Sequence, residues 1–305
     1  MSGYCIHRRG FRAGSISRAG LRAFAIRRAT RILPVFFLAV AAGVVLWEIG
    51  IRHDAETTGA LSSTRDLNPL AVAGKALTVD AWVPGWNFDL WQGNAPLHTV
   101  AAEIWLYIFY PFIALALTRV RERWFWASIV GLELVAALVL TGRLEWTNWW
   151  HNVSGVGFLL YWWIGAKMVG VRPGRRLAAA AAGAGLAWFA LTAIIKLQSD
   201  AFLVVEGRKV AFAALVGCLI VVADRPLRVP AAASRLGEAG YSLYAFHAPI
   251  AYLGIALNVW WPLVAAAAVG AGLLMFHAVE RPAMMWGRVL AGRKTPVAEP
   301  GTRAS

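Results

Sequence analysis

Three arginines, Arg27, Arg28 and Arg31, stand just ahead of an uncharged stretch that runs from Ile32 to Trp47. A guanidinium fork matches two phosphate oxygens at once. Three forks at the mouth of an apolar helix suit a cytosolic donor with several phosphates, such as an acyl-CoA. The same charges also suit a simple anchor that keeps this helix end on the cytoplasmic face. Glu103 lies inside an apolar stretch, where a carboxylate is costly and is a functional candidate by default. It could act as a general base, orient a histidine or join a structural ion pair. His247 sits in the uncharged run Gly240-Tyr241-Ser242-Leu243-Tyr244-Ala245-Phe246-His247. An imidazole there can move a proton near neutral pH, or can simply be a satisfied structural group. Ser242 and Tyr244 carry hydroxyls able to reach neighbouring helices.

Other charged groups in apolar stretches have plainer readings. Glu133 has no surrounding motif and is expected to have a structural partner. Lys167 is close enough to a helix end for its ammonium to reach the headgroups. Glu280 is expected to be a surface partner of Arg281, with Pro282 ending the helix. The segment Ser15–Arg31 could lie on anionic headgroups as a basic amphipathic helix. Cys5 and Cys218 form no framework of disulfides and no metal pattern, so no metal is expected.

The elements that position these groups are read from hydropathy. The chain is 59% hydrophobic, with mean hydropathy +0.57, well above the usual range for a soluble domain. The apolar residues fall in blocks long enough to span a hydrocarbon core as helices. Many of the 16 tryptophans mark block ends, as in an interfacial aromatic belt. The fold class is therefore all-α, a polytopic transmembrane helix bundle. Eight spans are expected, near 32–49, 98–118, 124–141, 152–170, 177–195, 209–223, 241–257 and 260–278. Residues Ala239–Val279 carry no Asp, Glu, Lys or Arg; the run is too long for one helix, and Asn258 to Pro262 is its natural turn.

The net charge of +14 segregates by loop. Of the 30 Lys and Arg, Arg52, Arg65, Lys75, Arg143, Lys196, Arg208 and Lys209 fall on one face, and the rest fall on the other. That asymmetry places both termini in the cytoplasm and makes the lipid bilayer, not nucleic acid, the partner of the positive charge. The large outward loop, about 50–97, mixes Asp54, Glu56, Asp66, Asp80 and Asp89 with Trp82, Trp86 and Trp91. It suits sugar stacking as well as it suits lying on headgroups. The expected organisation is a basic leader over 1–31, a membrane domain over 32–282 and a disordered cytoplasmic tail over 283–305.

Several segments, taken in order, resemble the acyltransferase 3 family of integral membrane acyltransferases. Phe24-Ala25-Ile26-Arg27-Arg28-Ala29-Thr30-Arg31-Ile32-Leu33-Pro34 resembles the arginine-rich entry to that family's third helix. Pro96-Leu97-His98-Thr99, then Glu103, Tyr107, Tyr110 and Pro111, resembles its Pro-Leu-Trp-(Ser/Thr) helix start. Leu236-Gly237 through Tyr241-Ser242-Leu243-Tyr244, His247 and Pro249 resembles its Ser-Tyr-Ser-Leu-Tyr-x-x-His stretch. Val279-Glu280-Arg281-Pro282 resembles its closing Glu-(Lys/Arg)-Pro, and Ser2-Gly3-Tyr4 the end of its second helix.

The resemblance implies transfer of an acyl group, commonly acetyl, from cytosolic acyl-CoA to a hydroxyl of a cell-envelope glycan or lipid-linked sugar. It implies a multi-pass protein of the bacterial plasma membrane, with O-acetylation of envelope polysaccharide as the setting. Arg27, Arg28 and Arg31 would bind the donor. Glu103 and His247 would be the catalytic pair. Tyr241, Ser242 and Tyr244 would touch substrate. The pattern also departs from the family. Members usually have ten core helices, the first bearing Arg-x10-His, and no histidine here follows an Arg or Lys by eleven places. His98 stands where tryptophan is usual. The expectation is that the start lies upstream and that this chain alone has little or no activity. The competing expectation is a transporter or scaffold of envelope polysaccharide assembly without chemistry.

Overall fold

In a computed structural model of the protein, the described residues are 18–57, 69–83, 94, 96–140, 143, 146, 149–151, 154–167, 175–194, 207–209, 211–213, 215–216 and 230–292. Their main elements are α1 (Arg18–Thr57), α2 (Pro69–Ala76), a 3-10 turn (Val79–Ala81), α3 (Leu97–Ala116), α4 (Glu122–Leu140), α5 (Leu159–Lys167), α6 (Arg175–Ile194), α7 (Ala231–Glu238), α8 (Gly240–Ala256), α9 (Trp261–Met275), a π-helical turn (Phe276–Glu280) and α10 (Arg281–Leu290). No strand occurs among the described residues.

Among the described residues, four stretches are long and apolar enough to cross a membrane: Gly20–Ile49, Leu97–Ala116, Glu122–Leu140 and Trp261–Leu290. They match the spans expected near 32–49, 98–118, 124–141 and 260–278. The span expected near 241–257 is α8, a helix of 17 residues. Those near 152–170 and 177–195 coincide in part with α5 and α6. Most of the one near 209–223 lies outside the described residues, as do most of the loop tryptophans and the tail beyond Gly292.

The expected boundaries are corrected at three places. α1 begins at Arg18 and continues through Arg31 into the apolar stretch without a break. The basic segment from Arg18 is thus the start of the spanning helix, not a separate surface helix. Ala, Leu and Arg are all good helix formers, so nothing local stops the helix at the charges. At the other end, Arg281-Pro282 does not terminate the last span. A π-helical turn ends at Glu280, and α10 starts there with Pro282 in its first turn, where a residue lacking an N–H costs least. Residues 283–290 of the expected tail are accordingly helix.

The chain divides into two compact units. Among the described residues, one comprises those within 69–83 and 96–234; the other comprises 18–57, 94 and 235–292. In the first, α4 buries Ala136, Ala137 and Leu140 with Trp150. Glu133 accepts a hydrogen bond from the Trp150 indole at 3.0 Å, which is the structural partner expected for it. Trp82 packs edge-on against Trp105 and Phe109 at 5.0 and 5.3 Å between ring centres. The Trp105 indole donates to the Thr78 carbonyl at 3.2 Å. Lys167 pairs with Glu122 at 2.7 Å, both partly exposed.

In the second unit, α8 packs on α1 and α9, and α10 packs on α1. The α8–α9 turn falls at Asn258, which takes φ 50, a left-handed conformation that asparagine tolerates better than most residues. Close approach depends on glycines such as Gly272 and Gly287. A side chain at Gly272 would meet Leu243, at 2.5 Å from its Cδ2, and one at Gly287 would collide with Thr30. Small residues let membrane helices approach in this way. Pro249 in α8 cannot donate the helical bond to the Ala245 carbonyl. The fully buried Asn94 donates to that carbonyl instead at 2.8 Å, and to the Ala39 carbonyl of α1 at 3.2 Å.

Candidate functional site

The arginine cluster is set by helix geometry. At 3.6 residues per turn, Arg27 and Arg31 point about 40° apart and Arg28 lies about 60° from Arg31. All three therefore occupy one side of α1, and each is half-buried. The Arg28 guanidinium lies over the Phe24 ring, 5.7 Å from its centre. The continuous helix carries the cluster directly into the apolar span.

Arg31 has a partner that its sequence neighbours conceal. Its Nε lies 3.5 Å from Glu280 Oε1, with the arginine side chain 38% exposed and the glutamate wholly buried. The other carboxylate oxygen accepts from Ser242 Oγ at 2.6 Å, and Ser242 is itself fully buried. The Arg31–Glu280–Ser242 chain thus links α1, the π-helical turn and α8. Tyr241, next in sequence, donates its hydroxyl to the Ile32 carbonyl at 3.0 Å, tying α8 to α1 one residue beyond Arg31.

Glu280 is therefore not the surface partner of Arg281. Adjacent helical residues do not face one another. The exposed Arg281 points away from the buried Glu280.

His247 is placed differently. Its Nδ1 meets the Tyr244 carbonyl of its own helix at 2.8 Å, and the two rings lie 5.7 Å apart. A carbonyl can only accept, so Nδ1 carries the proton and, in the neutral ring, Nε2 carries the lone pair. That is the tautomer a general base needs. His247 is exposed, and it stands about 140° around α8 from Ser242. The contacts of Ser242 therefore do not reach it. Tyr244, three residues back, shares its side of the helix and is exposed as well.

Glu103 belongs to the first unit. It accepts a hydrogen bond from the Tyr107 hydroxyl one turn along α3. Near the start of the same helix, the buried Lys75 Nζ lies 2.5 Å from His98 Nδ1. No cluster of three or more metal-ligating side chains occurs among the described residues.

Of the residues expected to form a site, the second unit brings Arg31, Ser242 and Tyr241 together, with Arg27 and Arg28 on the same side of α1. Two contributors escaped sequence reasoning. Glu280 adjoins Arg281 in sequence but meets Arg31 in the fold. Asn94 lies in no motif, and its signal in the sequence is Pro249, which orphans the carbonyl one turn before it in α8.

Helical in every described element, with several helices long and apolar enough to cross a membrane, the chain has the build of an integral membrane protein. The family model for the acyltransferase domain of the acyltransferase 3 type matches residues 1–278. The chain belongs to that family, and its activity class is that of a membrane transferase. No curated protein and no solved structure matches it.

Proposed function

We propose that the protein serves transfer of an acyl group, acetyl in the first instance, from acyl-CoA to a hydroxyl of a cell-envelope glycan or lipid-linked sugar in a bacterial plasma membrane. Arg27, Arg28 and Arg31 take the donor phosphates at the cytoplasmic end of α1. The observation that carries this reading is the placement of three half-buried guanidiniums on one side of a helix that continues into the membrane. In this reading His247 accepts the hydroxyl proton through Nε2 as general base, with Tyr244 beside it at the acceptor. Glu103, which accepts from the Tyr107 hydroxyl, is a further catalytic candidate by the family resemblance alone. Tyr241 and Ser242 hold the rim around substrate. Without an Arg-x10-His in these 305 residues, turnover by this chain alone is expected to be small.

Within the first unit, residues whose loops are expected on the same face meet one another, which supports that part of the expected topology. Lys167 and Glu122, assigned to the inner face, pair with each other. Lys75 pairs with His98 and Lys209 with the His151 carbonyl, all four assigned to the outer face.

A second reading, a carrier of envelope polysaccharide without chemistry, draws on the Arg31–Glu280 pair, since paired charges inside a membrane often serve transport. The joint variant Arg28→Ala with Arg31→Ala separates the two. The enzyme reading expects acyl-CoA binding to fall by on the order of a hundredfold at unchanged membrane abundance, since each lost charged hydrogen bond is worth about 1.5–3 kcal/mol. Unchanged binding, or loss of insertion alone, would leave the arginines as an anchor.

A further inference from the structure

We infer that Glu280 is a positioning residue for the donor site: it holds Arg31 by one edge so that the remaining guanidinium donors face the phosphates. The inference rests on the donor reading of the arginine cluster and deepens it.

The geometry has three parts. Glu280 approaches Arg31 through Nε, leaving the terminal nitrogens of a group with five N–H donors for another acceptor. The carboxylate cannot drift, because Ser242 Oγ donates to its second oxygen at 2.6 Å and both residues are wholly buried. The arginine is the one member of the chain that reaches the surface, at 38% exposure. A buried acceptor behind an exposed fork is how an outer partner fixes a ligand-binding side chain without touching the ligand.

Two local features support a placement built into the backbone. Glu280 closes a π-helical turn, and such turns are rare in helices and frequent at functional sites. In addition, α10 lies so close to α1 that a side chain at Gly287 would collide with Thr30, the residue before Arg31. The helix bearing Arg31 thus packs the Thr30 side chain directly on the backbone at Gly287, which holds it against the segment bearing Glu280. A merely neutralising counterion at a helix end would need neither the burial nor the second anchor at Ser242. A carboxylate competing with phosphate for Arg31 would make the opposite prediction, which the experiment below tests.

The experiment is a double-mutant cycle read by equilibrium binding of unacylated CoA to the full chain in lipid nanodiscs. Glu280→Gln keeps the shape and an acceptor oxygen but loses the charge. It should weaken CoA binding roughly fivefold, the size of coupling between members of one network, and should have no further effect when added to Arg31→Ala. Ser242→Ala, which keeps the carboxylate and frees it to turn, should weaken binding in the same direction by about twofold and should likewise be silent on the Arg31→Ala background. It carries the comparison if Glu280→Gln does not accumulate. Equal losses with and without Arg31 would overturn the inference, because Glu280 would then act on the fold alone. Unchanged or tighter binding would overturn it too. If Arg31→Ala itself leaves CoA binding intact, the donor reading fails, and this assignment fails with it.

Discussion

Each of the two units buries a glutamate in a helix, and they treat the charge differently. Glu133 of the first unit accepts from an indole, a neutral donor, within a cluster of Ala and Leu side chains. Glu280 of the second faces a guanidinium on one oxygen and a hydroxyl on the other. A buried carboxylate is expensive unless paired and hydrogen-bonded. An indole bond suits a group whose task is to tie helices together. A cation that remains partly exposed suits a group whose task reaches outward. The two acids differ in where the described partner ends, in the core for Trp150 and at the surface for Arg31.

The variants that probe this contrast can be ranked. The largest effect on stability is expected for Asn94→Ala in the second unit. It removes two hydrogen bonds at a fully buried site and orphans the Ala245 carbonyl, which Pro249 already deprives of its helical donor. A loss of about 2–3 kcal/mol is expected, seen as a lower thermal midpoint in detergent. In the first unit, Trp150→Phe removes the indole N–H from Glu133 while keeping most of the ring. It should cost about 1–2 kcal/mol and leave CoA binding where it was. An effect on CoA binding as large as that of Glu280→Gln would erase the distinction between the two acids. The smallest effect is expected for Lys167→Met. Its bridge to Glu122 is partly exposed on both sides, so the change should stay within about 0.5 kcal/mol.

Much of the architecture was readable from hydropathy because a helix in lipid must be apolar along a full membrane thickness. The spans near 98–118 and 124–141 became Leu97–Ala116 and Glu122–Leu140. The turn at Asn258 to Pro262 was legible from an uncharged run too long for one helix. The helical start of α1 at Arg18 was not, because arginines interrupt the apolar signal while leaving helix propensity intact. The π-helical turn and the continuation through Pro282 leave no mark in composition.

The site was legible as residue types but not as pairs. Arg27, Arg28 and Arg31 declared themselves by spacing. Glu280 did not declare its partner, since Arg31 is far away in sequence and Arg281 is adjacent. Helix geometry was the missing criterion: neighbours in the chain point in different directions. The bond from Tyr241 to the Ile32 carbonyl and the clasp by Asn94 join residues too far apart for any local pattern to reveal.

The central claim is that the arginines of α1 bind phosphate. The most direct measurement is the affinity of the full chain in lipid nanodiscs for unacylated CoA across a salt series. Binding is expected to be measurable and to weaken steadily as salt rises, because exposed and half-exposed charges are screened. Absent binding, or binding indifferent to salt, would contradict it.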